Sequence, residues 1–295
     1  MPAHSTSNGL LRMFAIIGVV VGLVCTVLGY TMHGGRIDVL IQPTEFIIIF
    51  GAGFGIFLGS AGLKVLTQTI KQTIGLLKPE PGQPQYIELL RMMYQLFSVA
   101  RKEGLLGLEK HIEKPEESDV VSKATSFMAN HHAVDFMCDT LKVILTGAVS
   151  PHDLSEMMEL DLETAEHEEM KPADALTNVA DAMPAVGIVA AVLGIVITMG
   201  KIGGEPAAIG MSVAASLVGT FTGILMGYVV IGPFAKALSV RVHASHSYMN
   251  CIRHALLSFA RGESPITCVE FARRNIEPSL RPGFSELETA VKEAA

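Results

Sequence analysis

Charge is missing from this chain over long distances. Four apolar stretches, Met13–Gly35, Phe46–Leu63, Ala182–Gly200 and Pro206–Ala235, contain no Asp, Glu, Lys or Arg. With 295 residues, 49% hydrophobic and only 17% charged, the chain is too apolar for an ordinary soluble enzyme. The gap also argues against an ion transporter that carries its own titrating group, because such groups in a membrane are functional by default. If ions pass, the titrating group must come from a partner. Cysteine is sparse as well: Cys25, Cys138, Cys251 and Cys268 are scattered without a CxxC pair, which argues against a disulfide framework or a zinc site. The close histidine pairs, His131–His132 and His243 with His246, lack a third ligand. No nucleophile elbow, phosphate loop or strand pattern is present. The chain therefore reads as no enzyme, with no cofactor and no metal. Its net charge of −7 disfavours nucleic acid as a partner.

Each apolar stretch is long enough to cross a bilayer as a helix, which takes about 20 residues at roughly 1.5 Å each. The second, at 18 residues, is the shortest, and the fourth, at 30, must protrude. The first is too long for a secretory signal, carries a single Arg before it and has no cleavage site after it. Basic residues set the orientation. Arg36 and Lys201 fall in the two short loops, and placing both outside leaves twenty of the twenty-two Lys and Arg inside. Both termini and the central segment are thus expected in the cytoplasm. The resulting plan has a cytoplasmic N-terminus over 1–12, transmembrane helices over 13–35 and 46–63 joined by a periplasmic loop at 36–45, and a cytoplasmic helical domain over 64–181. Transmembrane helices over 182–200 and 207–235 follow, joined by a loop at 201–206, and cytoplasmic C-terminal helices and tail occupy 236–295. The fold class is all-α: a polytopic membrane protein with four transmembrane helices and a helical cytoplasmic domain.

In the central segment the helical period predicts a helix over Tyr86–His111 with Leu89, Leu90, Met93, Leu96, Phe97 and Ala100 inward. Ser122–Thr146 and Asp153–Met170 predict two more, the last with Leu154, Met157, Met158 and Leu162 inward; after the fourth span, Lys236–Arg261 continues the helix. Small residues recur every fourth position, at Gly51, Gly55 and Gly59 in the second stretch and at Ala215, Gly219, Gly223 and Gly227 in the fourth. Such stripes let helix backbones approach closely in lipid, and four helices hardly suffice to bury them all, which points to oligomerisation. Pro184 and Pro233 lie at similar depth on adjacent spans and free the carbonyls of Ala180 and Val229. Pro184 fits a first helical turn; Pro233 predicts a kink.

The segments DAMPAVGIVAAVLGIV (181–196) and LVGTFTGILMGYVVIGP (217–233) resemble the paired signatures of the flagellar stator A-subunit, the MotA/PomA family. ARKEGLLGLEKHIEKPEES (100–118), PITCVEFARRNI (265–276) and RPGFSELE (281–288) agree with it, so the resemblance covers nearly the whole chain. It implies a homopentameric ring of A subunits in the bacterial inner membrane, around two single-span, MotB-like B subunits. Each B helix brings an ion-binding aspartate, and ion flow turns the ring against the rotor protein FliG. Carried onto this sequence, Pro184 and Pro233 couple ion binding to movement, and Thr220 and Tyr228 line the ion path. Arg101 and Glu109 form the charged pair that meets FliG; without the family they read equally well as a solvated helix face. Sodium-driven members have a threonine where this chain has Ala191. A methyl group offers a hard cation no oxygen ligand, so protons are the expected ion rather than sodium. The alternative is a TolQ/ExbB-type proton-driven energiser of the outer membrane, whose usual three spans fit the pattern less well.

Overall fold

The computed structural model describes residues 7–76 and 81–292, with side chains from residue 14 onward. The first six residues of the expected N-terminal segment, and Pro79 and Glu80 of the Pro-rich PEPGQP, lie outside it. The described helices are α1 (Ser7–Met32), α2 (Ile37–Leu40), α3 (Pro43–Gly75), α4 (Gln83–Glu103), α5 (Glu109–Ile112), α6 (Thr125–Met128), α7 (His131–Thr146), α8 (Pro151–Met199), α9 (Pro206–Ile224), α10 (Gly232–Ala260), α11 (Pro265–Asn275) and α12 (Phe284–Lys292). A π-helical stretch, Leu225–Ile231, links α9 to α10. No strand occurs among the described residues. Four helical segments are long and apolar enough to cross a membrane. The described residues divide into two compact units, one of 9–76 with 169–241, the other of 81–168 with 242–292.

In the first unit, Ile49, Phe57 and Val65 of α3 pack with Ala175, Val179, Met183 and Ala190 of α8. A Cβ on Gly53 would come within 3.0 Å of Met183 Sδ. Helix α3 does not stop where its charge-free stretch does. It bends at Gly62, whose φ of 74° interrupts the helical geometry, and continues to Gly75. Helix α8 departs further from expectation, running 49 residues unbroken through Pro172 and Pro184. A proline inside a helix removes one backbone bond and crowds the preceding turn. Three residues before Pro172, Gln72 Nε2 donates to the Glu169 carbonyl at 3.1 Å, which ties α3 to α8 beside the proline. Pro184, expected in a first turn, thus sits deep in a helix interior.

The second unit is built around the apolar faces that the period forecast. Leu89, Leu90, Met93, Leu96 and Phe97 of α4 are buried with Met137 and Leu141 of α7, Leu154, Met158 and Leu162 of α8, and Ile252 and Leu256 of α10. Met157 is the exception and is exposed. Two expected helices are divided. Gly104, with φ of 81°, ends α4, and a tight turn over Leu105–Leu108 precedes α5, so the chain from Tyr86 to His111 is two helices set by a glycine in the left-handed region. Asn130 separates α6 from α7 and caps the latter, its Oδ1 accepting from Ala133 N at 3.2 Å. The tail is fastened by Arg273, which pairs with Glu270 at 2.7 Å and donates from Nη1 to the Pro282 carbonyl at 2.9 Å. Gln83 Nε2 reaches Glu286 Oε2 at 3.0 Å. The motifs at 265–276 and 281–288 therefore brace α4.

His111 makes this unit sensitive to acid. Its ring is buried, with Nδ1 at 2.7 Å from Ser118 Oγ and Nε2 without a partner among the described residues. Burial pulls its pKa below the ordinary 6.5, against the opposing pull of the Asp119 carboxylate, and burial does the same to His254 beside Arg253 and Arg261. The unfolded rings take up protons before the folded ones, so these groups favour the fold fully above about pH 6.5 and lose that contribution as pH falls toward the folded values. Thermal melting of the solubilised protein is expected to shift downward between neutral and mildly acidic pH. The shift should be smaller in His111→Gln; an identical pH profile in that variant removes His111 from the account.

Candidate functional site

The region that gathers the expected membrane residues is the α8–α9 hairpin, closed by the turn over 200–205 and by Lys201 Nζ donating to Ser212 Oγ at 3.2 Å. Its two helices touch backbone to backbone. A Cβ on Gly187 would lie 2.8 Å from the Gly219 carbonyl and 3.2 Å from Thr220 Cα. On Gly223 it would lie 2.5 Å from the Met183 carbonyl and 2.8 Å from Gly187 Cα. On Gly227 it would lie 2.6 Å from the Ala180 carbonyl and 3.4 Å from Pro184 Cδ. Most of the small-residue stripe of the fourth span is thus consumed within the chain. Gly51, Gly55 and Gly59 of α3 behave differently, since a Cβ there meets nothing within 4 Å.

This pairing fixes the levels of the site residues. Gly219 stands 3.2 Å from the Ala191 amide, measured from a Cβ placed on it, so Ala191, buried, and Thr220, half-buried, share one level of the hairpin. Pro184 lies against Gly227 rather than beside Pro233. Pro233 follows Gly227 by six positions, which puts the two prolines roughly 9 Å apart along the axis, so the expectation of a common depth is corrected. The bond lost at Pro233 also takes another form: Leu225–Ile231 winds as a π-helix ending at Gly232. A proline lacking its N–H leaves carbonyls of the previous turn unclaimed, and a wider turn redistributes them. Tyr228 lies within this stretch and is 61% exposed, directed away from the α8 contact.

Arg101 and Glu109 belong to the other unit. Both are exposed, Arg101 in the last turn of α4 and Glu109 opening α5, with Gly104 and the tight turn between them. They do not lie on one helix face. Arg101 and Leu105 also line a cleft of about 570 Å³ with Phe97, Ile144, Leu154 and Phe259, which periodicity could not foretell because it joins four helices and a turn. The histidines at 243 and 246 share one partner: Glu166 Oε1 lies 3.0 Å from His243 Nδ1, and its Oε2 lies 3.3 Å from His246 Nδ1. No group of three or more His, Cys, Asp or Glu suited to a metal occurs among the described residues.

One residue was overlooked. Glu45 stands one position before the second charge-free stretch, yet it is buried against the hairpin, its Oε2 2.6 Å from a Cβ placed on Gly219. Pro43 was the available signal. Proline favours the first turn of a helix, and α3 begins there rather than at Phe46.

Residues 16–104 match the model of the motility protein A N-terminal region, and residues 128–250 match that of the MotA/TolQ/ExbB proton channel family. Motility protein A of Salmonella typhimurium is 36% identical over 285 residues, covering 96% of this chain and 94% of that protein. The chain belongs to the MotA family. Chemotaxis protein LafT of Vibrio parahaemolyticus is 34% identical over 94% of this chain and 97% of its own length. The fold agrees with that of Campylobacter jejuni MotAB, with a TM-score of 0.73 at 20% identity over 90% of this chain and 97% of that one. As a motility-protein-A-type member of a proton channel family with four helices long and apolar enough to cross a membrane, the chain is a membrane protein and no enzyme. The MotA N-terminal match ends at Gly104, so it includes Arg101 and α4, and the channel match includes the hairpin, both prolines and the π stretch.

Proposed function

We propose that this chain forms the pentameric A ring of a flagellar stator in the bacterial inner membrane, with both termini cytoplasmic, around a dimer of MotB-like single-span B subunits. Protons cross at the A/B interface, where each B helix supplies an aspartate, and the ring turns and drives FliG through the unit bearing Arg101 and Glu109. The observation that carries the reading is the two-sided hairpin. Glycines lock α8 to α9 on one side, while Ile188, Val192, Val196, Leu217, Ile224 and Tyr228 remain exposed on faces that a single chain leaves uncovered. A partner helix or neighbouring subunit fits such a surface, since helix association in lipid depends on packing. Thr220 offers a hydroxyl at the level where Ala191 offers only a methyl group, which favours protons over sodium. Pro184 lies against Gly227 of the π stretch and Pro233 follows its end; in this reading both couple proton binding to helix movement. The solved MotAB structures, although distant in sequence, are of complexes with a B subunit.

The test is reconstitution. Vesicles holding this chain together with its B subunit are expected to take up protons, and vesicles holding the chain alone are not. Substantial conductance by the chain alone would sink the proposal, and swimming that stops on sodium removal would overturn the choice of ion. The rotor contact is tested separately by Arg101→Glu and Glu109→Lys. Each is expected to reduce swimming severalfold while stator units still collect at the motor, because both side chains are exposed and carry no part of the core. Undiminished swimming in both variants removes the pair from the rotor surface.

A further inference from the structure

Glu45 is treated by the fold as a buried acid with no cation to meet it. Its side chain is 6% exposed, and Oε2 has no hydrogen-bond partner among the described residues. Oε2 occupies the space that a side chain at residue 219 would need, for a Cβ on Gly219 would stand 2.6 Å from it, 3.1 Å from Ala190 Cβ and 3.2 Å from the Ala191 amide. Ala191 precedes the end of α8 by eight residues, which sets the carboxyl about 12 Å below the hairpin tip. The charged groups of the surrounding elements are engaged or remote. Helix α9 has none, and neither has α8 over 182–199 nor α1 over 14–32. Helix α2, which packs on α9, offers Asp38, exposed and paired with Arg36 at 2.6 Å. Lys201 is held by Ser212. On α3 itself, Lys64 comes nineteen residues later, roughly 28 Å along the helix.

An ionised carboxylate without a partner is strongly disfavoured in such a place. It therefore carries a proton or meets a cation brought from outside the chain. The groups that share the space over Gly219 with Oε2 are a methyl group and a backbone amide, and neither is an oxygen ligand for a hard metal cation. A proton needs only the carboxyl itself. Gly219 accordingly has a second task beyond helix packing: it leaves the room in which the acid sits, one residue from Thr220.

The geometry points to Glu45 as a proton-binding group of this chain's own, set beside the Ala191–Thr220 level of the path on its periplasmic side and working in series with the carboxyl of the partner helix. The carboxylate takes a proton from a hydronium ion at the outer end of the hairpin, which leaves as water, and becomes the neutral acid; it then gives that proton to the carboxylate of the partner helix and returns to its ionised form. This rests on the reading of the hairpin as one wall of a proton path.

The experiment uses the full chain with its B subunit in vesicles, with proton uptake followed by a pH-sensitive dye and protonation by infrared difference spectroscopy. Glu45→Gln keeps the shape and cannot ionise, and it is expected to lower proton uptake about tenfold or more while yield and B-subunit association stay unchanged. Glu45→Asp should retain more uptake than Glu45→Gln. A titrating carboxylic-acid band present in the parent should be missing from Glu45→Gln. Parental uptake in Glu45→Gln, or no loss of a titrating band, overturns the inference while leaving the stator reading intact. Absence of uptake by the parent complex overturns both. Should Glu45→Gln fail to accumulate, the same two measurements on Glu45→Asp decide, since moving the carboxyl back by one methylene must slow uptake and shift the band if the group relays protons.

Discussion

Replacing Gly223 with valine is expected to abolish swimming and to leave little of the protein in the membrane fraction. The reason lies in what the new side chain meets. Its Cβ would stand 2.5 Å from the Met183 carbonyl and 2.8 and 3.1 Å from Gly187 Cα and N, all of them backbone atoms. A flexible side chain could rotate away, but backbone can yield only if α8 and α9 separate. Separation also undoes the contacts of Gly187 with the Gly219 carbonyl and of Gly227 with the Ala180 carbonyl. In lipid these contacts are not replaced by a hydrophobic drive, because tails are as apolar as the helices. Overpacking of an adaptable core costs about 1–3 kcal/mol, and a site walled by backbone falls at or above the upper end. Gly59→Val provides the comparison, since nothing lies within 4 Å of a Cβ there; its membrane level should equal the parent's. Immunoblots of membrane fractions alongside swim-plate diameters make the measurement. A Gly223→Val protein that accumulates and swims normally would show that the close approach is dispensable.

The difference between these two glycines marks what the sequence can and cannot disclose. Spacing alone placed Gly59 and Gly223 in equivalent stripes, because it reports which residues share a helix face and is silent on what opposes that face. The buried faces of α4 and α7 were legible because a helix half in water must segregate its apolar side chains, and Leu89, Met93, Leu96 and Leu141 do so at 3.6-residue intervals. Inside the membrane unit that contrast vanishes: exposed Val192 and buried Ala190 are both apolar. Breaks were legible only in part. Gly104 in the left-handed region and Asn130 at a cap stop helices by local chemistry, yet they stood inside patterns whose apolar period continued across them. The gap left between Met170 and the third span erred in the opposite direction, since α8 runs unbroken past Pro172 and Pro184. Glu45 was missed because the stretches were delimited by their charges, which places any residue at the edge outside by construction. The family signatures identified the hairpin through DAMPAVGIV and LVGTFTGIL, but the contact of Pro184 with Gly227 belongs to three dimensions.

That contact underlies the second large effect, which is expected from Pro233→Ala. Alanine restores a backbone N–H at 233, able to bond the Val229 carbonyl in ordinary α geometry, and relieves a strain of about 3 kcal/mol for proline in a helix interior. The protein should therefore accumulate at least as well as the parent. Its rotation should nonetheless stall. The π stretch Leu225–Ile231 holds one residue more than an α-helix of the same length would, and closing it turns one side of the helix against the other by about 100°. Gly227 would then no longer present its bare backbone to Ala180 and Pro184, and Tyr228 would leave the face on which it is 61% exposed. Torque measured on a bead attached to the filament is expected to fall at least severalfold, with stator units still arriving at the motor. Pro184→Leu should act in the same direction by removing the ring from Gly227, without altering the π stretch itself. The two variants thus separate the contact from the wide turn: if Pro233→Ala spins at parental speed while Pro184→Leu does not, the ring contact carries the coupling and the π stretch is a consequence of proline chemistry alone. Equal stalling by both places the coupling in the joint arrangement, a wide turn that ends at one proline and is pressed upon by the other.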